Sequence, residues 1–485
     1  MLSRNKKKKP SQHDDTSKDT KSDRQEKPMA DVENIEYYKY PLCFEIYKSS
    51  GKSIFTTNGD VAFSTNIDFP RFEYGFHHFI HQGKNYLGEQ IKSLEGKKPV
   101  WRVLSRYETK IDNYDQSISD VSVNYFDMKK KPEIMSRAFY KLWEILMLYD
   151  LIDLTNSKFV SAHIAEGPGS FIQATIMYRD MFGKTSKNDK YYGITLHPEG
   201  KTYVPEMGKK FTEYYEKESP KRLFLHKTYT KQEAGGDNEK DNGDVTDPKT
   251  IRLFGGEVGT KCDFITADGG FENENENLQE QESFRLIISE ITNAVKLQKK
   301  NGHFVCKFFE TFTNTSMKII SLLTELYETI YFVKPLMSRI SNSEKYAVCM
   351  NFKYNDTNKE YKDIVKKLED IHSTMHKNTK DFVVGIFSKY IVPNNILYNV
   401  TSMNILMSNL QLKNLNAIVA FIRKQIFIGE EYNNGHADQI EGTKYWLETF
   451  YPKDLADGRK KCKKIKDEIL KITKKRGIEL EKVIE

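Results

Sequence analysis

The stretch His163-Ile-Ala-Glu-Gly-Pro-Gly-Ser170 decides the fold, because it joins two apolar segments of different character. The run before the turn, Phe159–Ile164, is short and strand-like, and the run that begins at Phe171 has a helical pattern. A strand that breaks into Gly-Pro-Gly and resumes as a helix is typical of a nucleotide-binding turn. Glycines allow the backbone to approach a ligand closely, and the start of the helix offers free N–H groups. Alone the turn is a weak signal, because many Rossmann-like sheets contain one.

Strand-like and helix-like segments alternate around this turn. The clearest helical patterns are residues 133–152 and Phe284–Leu297, and Asn301-Gly302 is expected to stop the second. Alternation of this kind predicts a mostly parallel α/β sheet, and seven strands favour a Rossmann-like sheet of the methyltransferase type over a six-stranded dehydrogenase. The predicted strands are Phe159–Ala165, Tyr191–Leu196, Arg222–Leu225, Asp263–Ala267, Phe304–Phe309, Ile330–Val333 and Tyr346–Met350.

Composition divides the 485 residues into four regions. Residues 1–35 are charged and free of aromatic side chains, which predicts a disordered tail. Residues 36–130 mix aromatic residues with short alternating runs and are expected to form an irregular N-terminal accessory region. Residues 131–355 hold the predicted sheet, and residues 356–485 read as a helical C-terminal region with a basic end.

Charge and cysteine content restrict the class of protein. The net charge of +7 is concentrated at the ends, and residues 453–485 carry twelve Lys/Arg against seven Asp/Glu. The last helix is therefore either an RNA- or partner-binding element or a solvated surface helix, and the second interpretation is favoured. Five cysteines without a CxxC pair predict no zinc site, no disulfide framework and a reducing intracellular compartment. No secretory signal and no apolar stretch of membrane-spanning length is recognised.

Four ionisable residues stand out in or beside the predicted strands. Lys307 lies inside an otherwise apolar strand, where a lysine is costly unless it is paired or functional. Asp268 ends a strand and is followed by two glycines, where a turn-forming aspartate is the simpler interpretation. Lys141 in a helix and Glu344 before a strand are ordinary surface charges when each is taken alone. Their joint pattern with the residues that flank them singles them out.

With their flanks, these residues resemble those of the FtsJ/RrmJ-like ribose 2′-O-methyltransferases, most closely the mRNA cap-specific branch. The resemblance covers residues 131–353 and includes Gln279-Glu-Gln-Glu after the predicted Asp268 strand. The matching stretches are Ser136-Arg-Ala-Phe-Tyr-Lys141-Leu, Glu166-Gly-Pro-Gly-Ser-Phe, Asn242-Gly-Asp-Val-Thr, Thr266-Ala-Asp-Gly-Gly-Phe, Gly302-His-Phe-Val-Cys-Lys307-Phe-Phe and Phe332-Val-Lys-Pro…Ser338-Arg…Asn342-Ser-Glu344.

The resemblance implies S-adenosylmethionine as cofactor and capped mRNA as substrate, methylated at the first or second transcribed nucleotide. It implies a catalytic tetrad of Lys141, Asp268, Lys307 and Glu344, and no metal. A ribose hydroxyl loses its proton as it attacks, so Lys307 is expected to be a neutral base whose pKa is lowered by burial and by Lys141. The residues implied for cofactor binding are Glu166, Gly167, Pro168, Gly169, Ser170, Phe171, Asp244 and Asp268.

The chain departs from the family pattern in three places. Family members usually have Gly-Pro-Gly-Gly, whereas Ser170 replaces the last glycine and restricts the backbone. No acidic residue directly follows the second predicted strand to hold the cofactor ribose, and Glu199 is the nearest substitute. Two low-complexity inserts, Glu233–Pro248 around Asp244 and Glu272–Glu282, neighbour expected strand ends and are predicted to be loops near the site.

Two alternatives stay open: a catalytically inactive methyltransferase-like subunit of a capping or transcription complex, and a ribose methyltransferase acting on ribosomal or transfer RNA. The intact tetrad disfavours the first and the cap-type flanks disfavour the second. Other capping or transcription proteins are expected as further partners, and no membrane. The Lys-, Asn- and Tyr-rich composition of the chain resembles that of proteins of large DNA viruses. A viral origin would place the protein in the host cytoplasm, with the nucleus as the alternative.

Overall fold

The computed structural model describes residues 40–48, 51–70, 73–92, 94, 100–109, 117–128, 131–196, 207–226, 242–270, 275–424 and 428–484. The predicted tail of residues 1–35 lies outside the described residues, and so does Glu199. Of the two inserts, residues 242–248 and 275–282 are described. The predicted domain boundaries near residues 130 and 355 stay predictions.

Eight strands form one sheet in the order β1-β8-β9-β7-β6-β3-β4-β5, and β2 pairs with β10 in a small second sheet. Neighbours from β5 to β7 run parallel, whereas β9 is antiparallel to both β7 and β8. The strands are β1 (Leu42–Ile46), β2 (Val61–Ser64), β3 (Val160–Ile164), β4 (Lys190–Gly193), β5 (Leu223–Leu225), β6 (Cys262–Ala267), β7 (Gln298–Phe308), β8 (Tyr327–Lys334), β9 (Lys345–Phe352) and β10 (Phe382–Ile386).

All seven predicted strands are present in the predicted Rossmann-like α/β sheet, and the eighth comes from the N-terminal region. The alternating run Leu42–Ile46 pairs antiparallel with β8 and covers that edge of the sheet. Within β7 the prediction was wrong at one point, because Asn301-Gly302 does not stop the preceding helix. That helix already ends at Leu297, and the strand runs through Asn301 at a φ of 64°. The pairing between β6 and β7 shifts register there.

Two groups of helices pack on the sheet: α3 with α4, α11 and α12, and α7 with α6, α8 and α9. A third contact joins α1 to α10, so the N-terminal and C-terminal regions pack directly on each other. The helices are α1 (Tyr74–Lys92), α2 (Ile118–Tyr125), α3 (Arg137–Leu148), α4 (Ser170–Phe182), α5 (Lys209–Glu218), α6 (Pro248–Val258), α7 (Gln279–Leu297), α8 (Asn314–Leu326), α9 (Lys359–Lys377), α10 (Asn394–Lys424), α11 (Glu430–Phe450) and α12 (Leu455–Ile484).

The region after residue 353 is not purely helical as predicted, because β10 interrupts it and pairs with β2. Of the two apolar stripes predicted between residues 396 and 428, the described part up to Lys424 forms one continuous helix, α10. By length and composition alone this helix is long and apolar enough to cross a membrane, which corrects the expectation that no stretch approaches that length. Its buried side chains nevertheless pack on α1, β1 and α12 within the protein.

The last helix also departs from the favoured surface-helix interpretation. One face of α12 packs on β1 and α3, and Ile469 on that face is buried. The hydroxyl of Thr473 donates to the carbonyl oxygen of Cys43 at 3.1 Å, and the ammonium of Lys466 lies 4.5 Å from the ring centroid of Tyr149. Other lysines of α12, such as Lys460, Lys464 and Lys471, are exposed, so part of the basic character of this helix faces solvent.

Candidate active site

Three parallel strands and the antiparallel β9 bring four polar segments to one edge of the sheet. The carboxyl end of β3 leads into the glycine turn, and the end of β6 leads into Asp268. Lys307 lies one residue before the end of β7, directly opposite Tyr346 of the antiparallel β9. Glu344 precedes β9 and therefore reaches the same edge. Open α/β sheets bind ligands at such an edge, so topology alone places these residues where a site is expected.

Lys141 and Glu344, from α3 and from the segment before β9, form a close ion pair with 2.7 Å between Nζ and Oε1. The hydroxyl of Ser338 donates to the same carboxylate at 2.7 Å, and Lys334 donates to the Glu344 carbonyl oxygen at 2.7 Å. Burial opposes ionisation of this carboxyl, but Lys141, Lys307 and Lys334 outweigh that effect and lower the pKa of Glu344 to about 2. Glu344 is therefore a fixed anion.

Lys307 and Asp268 form the second pair. Nζ of Lys307 donates to the Asp268 carbonyl oxygen at 2.7 Å and lies 3.2 Å from the carboxylate. The hydroxyl of Tyr346 donates to the same carboxylate oxygen at 3.0 Å. We refer to Lys141, Asp268, Lys307 and Glu344 as the lysine–carboxylate cluster, since the structure brings all four predicted tetrad residues to one place.

The charge state of Lys307 differs from the expectation. Burial alone would lower its pKa, but Asp268, Glu344 and Glu290 outweigh burial and raise the pKa of Lys307 above its ordinary value. The prediction of a lowered pKa was therefore wrong for the chain by itself. Lys141 is not the unpaired neighbouring cation that the sequence predicts, because it forms an ion pair with Glu344.

The two glycines after Asp268 lie against close neighbours, and the contact is tightest at Gly269. A Cβ atom at Gly269 would lie 2.1 Å from Oε1 of Glu290, which accepts a hydrogen bond from the Gly269 N–H at 3.1 Å. A Cβ atom at Gly270 would lie 3.0 Å from Nζ of Lys307. Glu290 was not predicted from the sequence, because it lies in α7 on a helical face that reads as ordinary core packing.

A carboxylate within the glycine turn after β3 accepts hydrogen bonds from the first N–H groups of α4. Oε1 of Glu166 accepts hydrogen bonds from the N–H groups of Phe171 at 2.7 Å and Ile172 at 2.9 Å. The expectation that α4 offers free N–H groups is therefore wrong for these two amides. The second carboxyl oxygen of Glu166 is buried and has no hydrogen-bond partner among the described residues. Burial and the nearby Asp268 raise the pKa of Glu166 well above its ordinary value.

The serine that departs from the family pattern has a structural contact. The hydroxyl of Ser170 lies 2.7 Å from that of Ser136, which caps α3 by accepting from the Ala138 N–H. The glycine turn is thereby tied to the helix that carries Lys141. Gly169 itself needs a glycine, because its φ of 109° lies in the left-handed region. The ring of Phe171 packs 5.8 Å from that of Tyr346.

Two further residues, the predicted Asp244 and Glu280 of a family-like stretch, lie apart from the cluster. The carboxylate of Asp244 accepts hydrogen bonds from the Thr246 N–H at 2.9 Å and hydroxyl at 2.7 Å, and no ion pair joins it to the cluster within the described part of the chain. Glu280, from the family-like Gln279-Glu-Gln-Glu stretch, accepts from the N–H of Thr313 at 2.8 Å at the start of α8. Glu280 therefore has a structural contact that the sequence did not reveal.

A second cluster lies beside the first and was not predicted. His77 and His81 of α1 and Glu310 after β7 each offer one ligand atom, and these atoms lie within 4.8 Å of one another. We call these three residues the histidine cluster. The predictions of no metal and no zinc site stay predictions, but residues more than 220 positions apart in sequence meet here in a group that could hold an ion. The His-x3-His spacing in α1 is the only local signal that pointed to it.

The fold and this edge site define a Rossmann-like enzyme scaffold of the methyltransferase type. Residues 134–352 match the family model described as FtsJ-like methyltransferase. This segment of the chain is an FtsJ-like methyltransferase domain. The lysine–carboxylate cluster and the glycine turn lie within it, whereas His77 and His81 lie outside it.

Named relatives share part of this sequence. The chain is 28% identical over 273 residues to "Cap-specific mRNA (nucleoside-2'-O-)-methyltransferase 2" of Drosophila melanogaster, covering 55% of this chain and 36% of that protein. It is 34% identical over 207 residues to "Cap-specific mRNA (nucleoside-2'-O-)-methyltransferase 1" of Mus musculus, covering 39% of this chain and 23% of that protein. The chain thus spans about a third or less of the length of these relatives.

Proposed function

We propose that this protein transfers a methyl group from S-adenosylmethionine to a ribose 2′-hydroxyl of capped mRNA, at the first or second transcribed nucleotide. The observation that carries the proposal is the convergence of Lys141, Asp268, Lys307 and Glu344 at the edge where a ligand is expected. The proposal is supported by the FtsJ-like domain and by the cap-specific names of the relatives.

The residues around the glycine turn fit S-adenosylmethionine, which supplies a methyl group on a positively charged sulfur. Glu166 contributes a buried carboxyl oxygen with no partner among the described residues, and the fields of Asp268 and Lys307 both reach it. A carboxyl group left in this state is a ready hydrogen-bond partner for a ligand. Glu166–Phe171, Asp244 and Asp268 would hold the cofactor, with Asp268 between it and Lys307.

We infer a specific order of events for Lys307. The ribose hydroxyl oxygen would bond to the methyl carbon as the carbon–sulfur bond breaks and sulfur leaves as a neutral thioether. The hydroxyl proton would pass to Nζ of Lys307, which must therefore be a neutral amine. Asp268 stabilises the ammonium form of Lys307 in the chain by itself. A cation bound beside Asp268 would offset the electrostatic stabilisation that Asp268 gives to the ammonium form of Lys307. The pKa of Lys307 is therefore expected to fall.

Glu344 would position the two lysines without taking part in proton transfer. Its pKa of about 2 keeps it ionised at any physiological pH. It holds Lys141 at 2.7 Å and acts on Lys307 through its field. The segment that carries Glu344 is itself fixed, because Glu144 of α3 accepts hydrogen bonds from the N–H groups of Leu336 at 2.7 Å and Met337 at 2.9 Å.

Label transfer tests the proposed substrate. The full chain is incubated with methyl-labelled S-adenosylmethionine and short RNAs that differ only in the presence of the cap, and nuclease mapping locates the label. We expect label on the ribose of a cap-proximal nucleotide in capped RNA only. Equal labelling of uncapped RNA would favour a ribosomal or transfer RNA substrate. Cofactor binding without any transfer would favour an inactive subunit of a capping or transcription complex.

A further inference from the structure

The histidine cluster has the composition of a transition-metal site. His77 and His81 are four residues apart in α1, so both rings leave the same face of the helix. Their ring centroids are 3.9 Å apart, and the carboxylate of Glu310 faces them from the segment after β7. Two imidazoles and one carboxylate with an open fourth position are a common donor set for zinc in proteins.

The carboxylate of Glu310 divides its two oxygens between different partners. Oε2 lies 2.8 Å from Nε2 of His81 on the histidine side. Oε1 accepts from Lys84 at 2.5 Å and from the Ser343 hydroxyl at 2.9 Å on the other side. A metal ion would take Oε2, and Lys84 and Ser343 would keep Oε1 in place as outer-shell partners.

His77 is held in a buried position beside an aromatic ring. It is 5% exposed and contacts the ring of Phe312 edge-on at 5.6 Å. Glu310 is likewise buried, and Lys84 and Ser343 fix its carboxylate. A buried ring beside a carboxylate that is already held in place needs little reorganisation to accept a metal ion.

We propose that His77, His81 and Glu310 bind one divalent transition-metal ion of the zinc type. Ligand atoms around tetrahedral zinc are about 3.3 Å apart, given metal–ligand bonds of roughly 2.0–2.1 Å. The three ligand atoms lie within 4.8 Å of one another, so small side-chain rotations close the site. Three protein ligands leave a fourth position for water or for an anionic group of a ligand.

The bound ion would join a helix outside the FtsJ-like domain to the edge of its sheet. Ser343 contacts Glu310 and directly precedes Glu344, so the metal site and the lysine–carboxylate cluster share one segment of chain. The inference does not depend on the methyl-transfer proposal, since it rests on the three ligands alone. Its test therefore uses metal binding as the readout.

The experiment titrates Co²⁺ into the untagged full-length chain after treatment with a chelator. Visible absorption reports tetrahedral Co²⁺, and Zn²⁺ is then added to displace it. We expect saturation at one equivalent for the wild type. His77→Ala/His81→Ala should lose more than the ~10–100-fold in affinity that removal of an outer-shell partner costs. His78→Ala is the matched control, because His78 is the exposed neighbour on the same helix and should bind like the wild type.

Glu310→Gln provides a second variant that keeps the side-chain shape and removes the anionic ligand. It should also lose the cobalt spectrum, while its thermal unfolding in chelator serves as the folding control. Wild-type protein that takes up no stoichiometric Co²⁺ overturns the proposal. So does one equivalent bound equally well by His77→Ala/His81→Ala, because the ion would then lie elsewhere on the chain.

Discussion

The lysine–carboxylate cluster and the histidine cluster meet at Ser343-Glu344, yet they are assembled in different ways. In the first, two lysines and two carboxylates come from one domain, and each cation lies within 3.2 Å of an anion. In the second, α1 from outside that domain brings two imidazoles to Glu310, which Lys84 already neutralises. The first cluster pairs each lysine with a carboxylate, whereas the second brings two imidazoles and one carboxylate to a single point, so they suit proton transfer and cation binding respectively.

The largest expected effect is the loss of methylation rate when Lys307 is replaced. Lys307→Ala should lower single-turnover methylation by on the order of 10²–10⁴-fold, because a positioned base contributes that much. Folding should survive, since Asp268 still accepts the hydrogen bond from the Tyr346 hydroxyl when the lysine is removed. Cofactor binding should also survive, because Lys307 is not among the residues proposed to hold the cofactor. Methylation and cofactor affinity are measured on the same purified variant.

Lys299→Ala is the matched control for that variant. Lys299 lies exposed at the other end of β7 and pairs with Asp263 at 2.7 Å. It should methylate like the wild type. Near wild-type methylation by Lys307→Ala would refute the base, and loss of cofactor binding together with methylation would point to a damaged fold.

The next largest effect concerns the ionised carboxylate of Glu344 in the lysine–carboxylate cluster and its contribution to stability in acid. The pKa of Glu344 is lowered from 4.5 to about 2, so its stabilisation is complete above pH 4.5 and is lost as the pH falls to 2. A shift of this size corresponds to about 3 kcal/mol. Glu344→Gln should therefore flatten the pH dependence of the unfolding free energy in that acid window. Parallel curves for the variant and the wild type, from denaturant titrations at each pH, would contradict the assigned pKa.

A smaller effect is expected on cofactor affinity, which compares Asp268 in the lysine–carboxylate cluster with Asp244 outside it. Asp268→Ala and Asp244→Ala should each weaken S-adenosylmethionine binding by ~1–3 kcal/mol, as loss of a buried hydrogen-bond partner does. Calorimetry measures both. Unchanged affinity in both variants would remove these residues from the proposed cofactor site. A loss in Asp268→Ala alone would agree with the local hydrogen bonds that Asp244 makes to Thr246.

The smallest effect concerns the exposed lysines of α12. Deleting the helix would damage the fold, because one face packs on β1. Changing Lys460, Lys464 and Lys471 to Gln leaves that packing intact. If α12 binds RNA, the slope of log affinity against log salt should fall by about 0.7 for each phosphate that is no longer neutralised. The same changes at the exposed Lys359, Lys362 and Lys366 of α9 are the control, and equal slopes for both variants would exclude α12 as the RNA-binding surface.

Much of the first cluster was predictable, because its chemistry is local in sequence. Alternating segments predicted all seven strands of the family-like sheet, and parallel strands bring Asp268 and Lys307 to one edge. The pKa of Lys307 was not predictable, because its direction depends on which carboxylates surround it in space. Glu290 lies in α7 and carries no motif, yet it raises that pKa.

The histidine cluster and the edge strand β1 show more clearly what could not be predicted from the sequence. Leu42–Ile46 has an alternating pattern, but nothing local states that it pairs with β8 almost 290 residues later. Glu310 likewise meets His81 only through tertiary packing, at a sequence separation of 229 residues. Strand β10 in the C-terminal region was not predicted either. A short strand of this kind is defined by its pairing partner, here β2, rather than by its own sequence.

The pH dependence of single-turnover methylation by the wild-type chain tests directly whether Lys307 is the base. Carboxylates raise the pKa of Lys307. A bound cofactor cation is expected to offset only part of this rise, so the neutral amine is scarce at neutral pH. With saturating cofactor and short capped RNA, the rate should therefore rise about tenfold per pH unit from about pH 6 to at least pH 8. A constant rate over this range would refute a charged Lys307 that acts as the base, since Lys307 would then already be neutral or would not be the base.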